Sequence, residues 1–175
     1  TGNPKGVMLS HENATSFVDW CSEVFQPQAE DRFSSHDPFH FDLSILDLYV
    51  PIKHGATVVL IPEEMAREPI GLANLIAEKR ISMWYSAPSI LSMLAQYGQM
   101  EKYDYSAVKM VLFAGEVFPI VHLRRLKQKL PHPRYFNLYG PTETNVCTYY
   151  EVPNSIAEDR TEPYPIGKVC SHLDG

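Results

Sequence analysis

What most constrains this chain is an alternation. Short, β-branched or aromatic apolar runs are separated by longer segments with apolar residues at helical spacing. The runs are 57–61 (TVVLI), 82–86 (SMWYS), 108–113 (VKMVLF) and 135–139 (YFNLY), the last closed by Gly140-Pro141. Each is short enough for a buried strand and is bounded by turn residues. The intervening segments read as helices. One runs from Asp42 to about Lys53, with Leu43, Leu46 and Val50 on one face and Gly55 as a stop. Pro69, Pro88 and Pro119 each open another, because proline suits the first helical turn. Their apolar faces are Leu72, Leu75 and Ile76, then Leu91 and Leu94, then Leu123, Leu126 and Leu130. Strands alternating with helices predict an α/β fold, a mostly parallel sheet flanked by helices. In such sheets ligands gather at the carboxyl ends of the strands.

Composition narrows the function classes. The 175 residues suffice for one domain with a buried core, and 45% apolar with 21% charged residues fits a soluble globular chain. A net charge of -6 disfavours a nucleic-acid grip, which needs a basic stripe. No apolar run is long enough to span a membrane and no signal peptide opens the sequence. Cys21, Cys147 and Cys170 are scattered and odd in number, so neither a disulfide framework nor a zinc site is expected, and a reducing cytoplasm fits. His36 and His40 are separated by Pro38, which argues against a shared helical face for a metal. The sequence starts at Thr1 inside a glycine-rich turn and stops at Gly175, and both ends look cut.

Four segments can carry chemistry. TGNPKGVMLSHEN (1–13) places Gly2 and Gly6 around Lys5, a turn able to face backbone N–H groups toward a phosphate, although an ordinary hairpin turn explains it better in isolation. HFDLS (40–44) sets Asp42 ahead of an apolar helix. By itself that is an N-cap; its functional alternative is a counter-ion for an ammonium group. FAGE (113–116) follows a strand, and its Gly115 and Glu116 either form a plain turn or let main chain approach a flat ligand. NLYGPTETN (137–145) is the most telling. It joins an amide (Asn137), a ring (Tyr139), the Gly140-Pro141 turn, a hydroxyl (Thr142) and a carboxylate (Glu143). A nucleotide uses such a set for base, ring, phosphate and Mg²⁺. The basic residues Arg124, Arg125, Lys127 and Lys129 read as the solvated face of a helix, Trp84 and Tyr85 read as core, and no nucleophile elbow appears.

TGNPKG, FDLS, AGE and NLYGPTE, in this order, resemble the adenylate-forming superfamily, and the resemblance covers nearly the whole chain. It implies that residues 1–175 are a partial AMP-binding core domain, truncated at both ends. It further implies ATP and Mg²⁺ as cofactors. Thr1, Gly2, Lys5 and Gly6 would form the back half of the phosphate loop. Gly115 and Glu116 would border the adenine by main chain, Asn137 would bond its amino group, Tyr139 would stack on the ring, and Gly140 would belong to the same nucleotide-binding set. Thr142 would contact the α-phosphate and Glu143 would hold Mg²⁺, these two being the catalytic pair. Asp42 in FDLS marks the activators of α-amino acids, where it pairs with the substrate ammonium. On the family pattern the pocket is lined by Asp42, Leu43, Leu46, Tyr85, Leu112, Ala114, Leu138, Val146 and Cys147. One carboxylate in an otherwise apolar, compact lining is similar to that of the free-standing prolyl-AMP ligases, which load proline onto the phosphopantetheine thiol of a carrier protein. The family's ribose-binding aspartate, hinge residue and catalytic lysine have no match in this sequence. Without that lysine the first half-reaction is expected to be severely impaired. The alternatives are an acyl- or aryl-CoA ligase of the same superfamily and a catalytically inert nucleotide-binding piece.

Overall fold

A computed structural model describes Gly2 and residues 6–173. Seven strands form one sheet in the order β2-β1-β3-β4-β5-β6-β7. β1 (Arg32–Ser35), β2 (Thr57–Leu60), β3 (Met83–Ser86), β4 (Met110–Phe113) and β5 (Arg134–Tyr139) are parallel. β6 (Thr148–Val152) and β7 (Lys168–Val169) continue the sheet antiparallel beyond β5. The expected fold class is the observed one. The four strands foreseen from sequence are β2, β3, β4 and β5, each within two residues of its expected ends.

The helices divide between the two faces, and so does the core. α3 (Pro69–Glu78), α4 (Pro88–Tyr97) and α5 (Ile120–Lys129) bury Leu72, Leu91, Leu94, Leu123 and Leu126 against Trp84, Val111 and Tyr135. On the other face α1 (His11–Phe25) and α2 (Ser44–His54) cover Tyr85, Leu112 and Phe136 with Phe17, Trp20 and Leu46. Alternation along each strand makes this division, since neighbouring residues point to opposite faces. Each fully buried Leu or Phe contributes about 1.5–3 kcal/mol against exposure.

Besides β6 and β7, which fall in and around a segment that reads only as loop and short strand, α1 and β1 escape the reading by apolar runs. α1 starts at a capping box in which the Ser10 hydroxyl accepts from Asn13 N–H while the Asn13 side chain accepts from Ser10 N–H. β1 is short, and its Ser34 and Ser35 are buried, so it carries little apolar signature. Asp31, just before it, holds three strands together. Its carboxylate accepts from Ser82 Oγ at 2.8 Å, Lys109 Nζ at 2.7 Å and Gln28 N at 2.8 Å. Burial alone would raise its pKa, but these donors and the Lys109 charge outweigh burial and hold it below the usual carboxylate range.

Three local expectations are corrected. Asp42 does not cap α2: the helix begins at Ser44 with Leu43 as cap, and no side chain bonds the free N–H groups. Lys127 is not on a solvated face; it is buried, with Nζ 4.2 Å from the centre of the Tyr135 ring. Arg124 is occupied, donating to the carbonyls of Ala157 and Arg160 at 3.0 Å and so tying the β6–β7 segment to α5.

Candidate active site

The carboxyl ends of β4 and β5 lie side by side, with Phe113 in register with Asn137. The turn after β5 bends over the sheet edge and has a cavity on each side. Gly140 permits that bend: a Cβ there would sit 2.3 Å from the Asn145 carbonyl oxygen. Asn145 itself is left-handed, with φ 60°.

The first cavity, about 310 Å³, lies on the α5 side. Gly115, Glu116, Asn137, Tyr139 and Gly140 line it, so the expected base-binding residues come together. Gly115 has φ +87°, which turns the main chain after β4 into the cleft. The Glu116 side chain is used elsewhere. It accepts from Ser89 N at 3.0 Å and Ser89 Oγ at 3.1 Å, capping α4 where that helix has no cap of its own. That leaves main chain as the part of 115–116 facing a ligand. Asn137 donates from Nδ2 to the Pro165 carbonyl at 2.9 Å. Tyr164 and Ile166 complete the wall, and no local pattern in 151–175 marks them.

The second cavity, about 140 Å³, lies on the α1 side. Asp42, Thr142 and Glu143 line it, together with Asn13, Phe17 and His172. Asn145 Nδ2 donates to the Asp42 carbonyl at 2.6 Å, which fixes the start of α2 to the turn. Sequence reasoning missed Asn13 and Phe17, although Ser10 and Asn13 at capping-box spacing announce the helix that carries them. His172 stacks near Trp20 at 5.4 Å, and burial lowers its pKa, so the ring stays neutral at pH 7.

The remaining expected pocket residues gather beneath Asp42. Leu46, Tyr85, Leu112, Ala114, Leu138 and Val146 belong to one buried cluster with Leu43 packed against it. Cys147 is half-buried one residue beyond Val146. Tyr85 is in register with Leu112, so both point to the α2 face, while Trp84 and Val111 point to the other. These side chains pack on one another and do not line the Asp42 cavity. The surroundings of this cluster are also less apolar than the sequence suggests. Asp47, one turn along α2 from Leu43, is fully buried, and neither of its oxygens finds a partner among the described residues. Burial first, and nearby Asp37 second, push its pKa well above the usual carboxylate range, against a smaller lowering by the His36 main chain. The Tyr85 hydroxyl is likewise buried and unpartnered. Burial pushes the Cys21 thiol up and the Cys170 thiol to about 12, so both stay protonated at neutral pH. Of the expected phosphate loop, Gly2 and Gly6 are exposed, whereas Thr1 and Lys5 lie outside the described residues.

Comparison with known proteins identifies the family. The sequence profile of the family described as AMP-binding enzyme covers residues 1–174. The chain belongs to this family. It is 48% identical over 171 residues to an L-proline--[L-prolyl-carrier protein] ligase of Pseudomonas fluorescens, covering 98% of this chain and 34% of that protein. It is 43% identical to a ligase of the same name from Streptomyces coelicolor, covering 95% of this chain and 31% of that one. The crystal structure of IdnL1 superposes with a TM-score of 0.88 at 31% identity, over 95% of this chain and 34% of that one. The AMP-binding chain thus spans about a third of the length of the relatives it matches.

Proposed function

We propose that this chain is the part of an amino-acid adenylation domain that selects the acid and binds the nucleobase, and that the acid is L-proline. The observation that carries the reading is the 140–145 turn, which borders both cavities: Asn137 and Tyr139 lead into it on one side, and Asp42 is bonded to it through Asn145 on the other. Identity to prolyl-carrier protein ligases over nearly the whole chain supports proline in particular.

In this reaction a carboxylate oxygen of proline attacks the α-phosphorus of ATP. The bond from that phosphorus to the bridging oxygen breaks, and pyrophosphate leaves with the electron pair. The protein's work is placement and charge neutralisation. Asp42 pairs with the substrate ammonium and thereby holds the carboxylate toward the turn. Thr142, exposed at the turn, donates its hydroxyl to the α-phosphate. Glu143 is an exposed carboxylate next to Thr142 on the turn. That fits Mg²⁺, which takes one or two carboxylates and completes its shell with phosphate oxygens and water. When bound it would neutralise phosphate charge. The phosphopantetheine thiol of a carrier protein, having lost its proton, then attacks the prolyl carbonyl carbon; the acyl–phosphate C–O bond breaks and AMP leaves as the thioester forms, so no cysteine of this chain acts as nucleophile. No helix among the described residues is long and apolar enough to cross a membrane.

The test is pyrophosphate exchange by the full-length polypeptide carrying Asp42→Ala. Loss of the counter-charge for a buried ammonium costs several kcal/mol, so proline-dependent exchange should fall by about 100-fold or more. Exchange unchanged from the wild type would remove Asp42 from the site.

A further inference from the structure

The segment between β6 and β7 does more than wall the base cleft. Pro165 offers only a carbonyl, which accepts and cannot donate, so the Asn137 atom 2.9 Å from it is the amide nitrogen. Asn137 is therefore held with Oδ1 as the group it presents to the cleft. Pro165 is itself held by its neighbour. The Tyr164 ring stacks on Tyr150, with centroids 5.5 Å apart and planes 22° apart. Tyr150 is the register partner of Asn137 across the β5–β6 ladder, so the stack sits directly over the residue being held. The Arg160 guanidinium covers the Tyr164 ring at 4.0 Å and donates to the Pro163 carbonyl at 2.8 Å. Arg124 anchors the Arg160 carbonyl from α5. Gly167, with φ +87°, closes the turn where a Cβ would lie 2.0 Å from the Tyr149 carbonyl oxygen.

We infer that Tyr164, braced by Arg160 and Tyr150, is a positioning residue that fixes the Asn137 amide oxygen toward the cleft and makes the site select a 6-aminopurine over a 6-oxopurine. The inference rests on the reading of this cleft as the nucleobase site. A 6-amino group brings an N–H to the waiting acceptor. A 6-oxo group sets oxygen against oxygen, and a buried acceptor left unpaired weakens binding by about 10- to 100-fold. An unpinned amide would rotate by half a turn and offer its nitrogen instead, serving both bases. Discrimination thus depends on the pin, whose loss is worth about the strength of one hydrogen bond, a factor of about 3 to 10.

AMP and IMP share ribose and phosphate, so their affinities isolate the base. Calorimetric titration of both into the wild type, Tyr164→Phe, Tyr164→Ala and Arg160→Gln tests the inference. The wild type should bind AMP at least about tenfold tighter than IMP. Tyr164→Phe should keep that ratio, and Tyr164→Ala should lower it about threefold or more. Arg160→Gln should lower it in the same direction, and it carries the test if Tyr164→Ala does not fold. A ratio unchanged in the alanine and glutamine variants, whether or not both affinities fall, overturns the positioning role. Equal AMP and IMP affinity in the wild type overturns this inference alone. No AMP binding by the wild type overturns the nucleotide reading and this inference with it.

Discussion

Asn145 donates its side-chain amide to the main-chain carbonyl of Asp42 at 2.6 Å, across 103 positions of sequence. The bond ties the residue proposed to hold the substrate ammonium to the turn proposed to hold the α-phosphate. Its Oδ1 is buried and has no partner among the described residues. Asn145→Gly, which keeps the left-handed backbone at φ 60° without strain, should leave the fold intact and loosen residues 40–43. The expected result is a KM for proline raised about tenfold with a smaller change in kcat, since about one hydrogen bond to a ground-state element is lost. Steady-state pyrophosphate exchange reads the two constants separately.

Asp31 predicts a stability effect remote from the site. It is buried and bonded to Ser82 and Lys109, the residues just ahead of β3 and β4, and to Gln28 in the turn ahead of β1. Asp31→Ala should destabilise by about 2–3 kcal/mol. Its folded pKa lies below the ordinary value of 3.8, so its contribution is complete above that value and disappears as pH falls through the lower folded one. The gap between the thermal melts of wild type and variant should therefore narrow as the pH is lowered from neutral to below 3.8.

Asp47 predicts the opposite slope. Its folded pKa is raised, so the folded state binds the extra proton and stability declines as pH rises from about 3.8 toward the folded value. Asp47→Asn has nearly the same shape and nothing to ionise. The variant should match the wild type near pH 4 and exceed it by at least about 1 kcal/mol at pH 8, or about 2–4 °C in Tm. Melts at the two pH values decide it.

How much of this was legible follows from where the signals lie. β3, β4 and β5 are apolar on both faces and closed by turn residues, so they stand out as runs. β1 does not, because Ser34 and Ser35 occupy buried positions: the Ser34 hydroxyl reaches the Met83 carbonyl at 3.4 Å and accepts from Tyr85 N–H at 3.2 Å, contacts that exist only once β3 is alongside. The motif residues Gly115, Asn137, Tyr139, Asp42 and Thr142 were readable as types in an order. Their division by the sheet, the proposed base cleft on the α5 face and the proposed acid cavity on the α1 face, needed the register of the strands. Asp42 looked like a helix cap because the cap signal is local, whereas its fixing by Asn145 is not. Tyr164 and Ile166 reach the site through the return from β6 to β7 and His172 through the segment just after β7, and no short pattern announces either. Asp47 was hidden for another reason: one carboxylate in an amphipathic helix reads as solvent-facing, and only the packing of α2 on β1 and α1 turns it inward.

The account centres on proline as the activated acid. The direct test is ATP–pyrophosphate exchange by the full-length polypeptide with each proteinogenic amino acid in turn, under the same nucleotide and Mg²⁺ conditions. The account predicts the fastest exchange with L-proline and exchange near background with bulky, charged or aromatic side chains. Fastest exchange with any other acid, or none with proline while another acid is active, would contradict it.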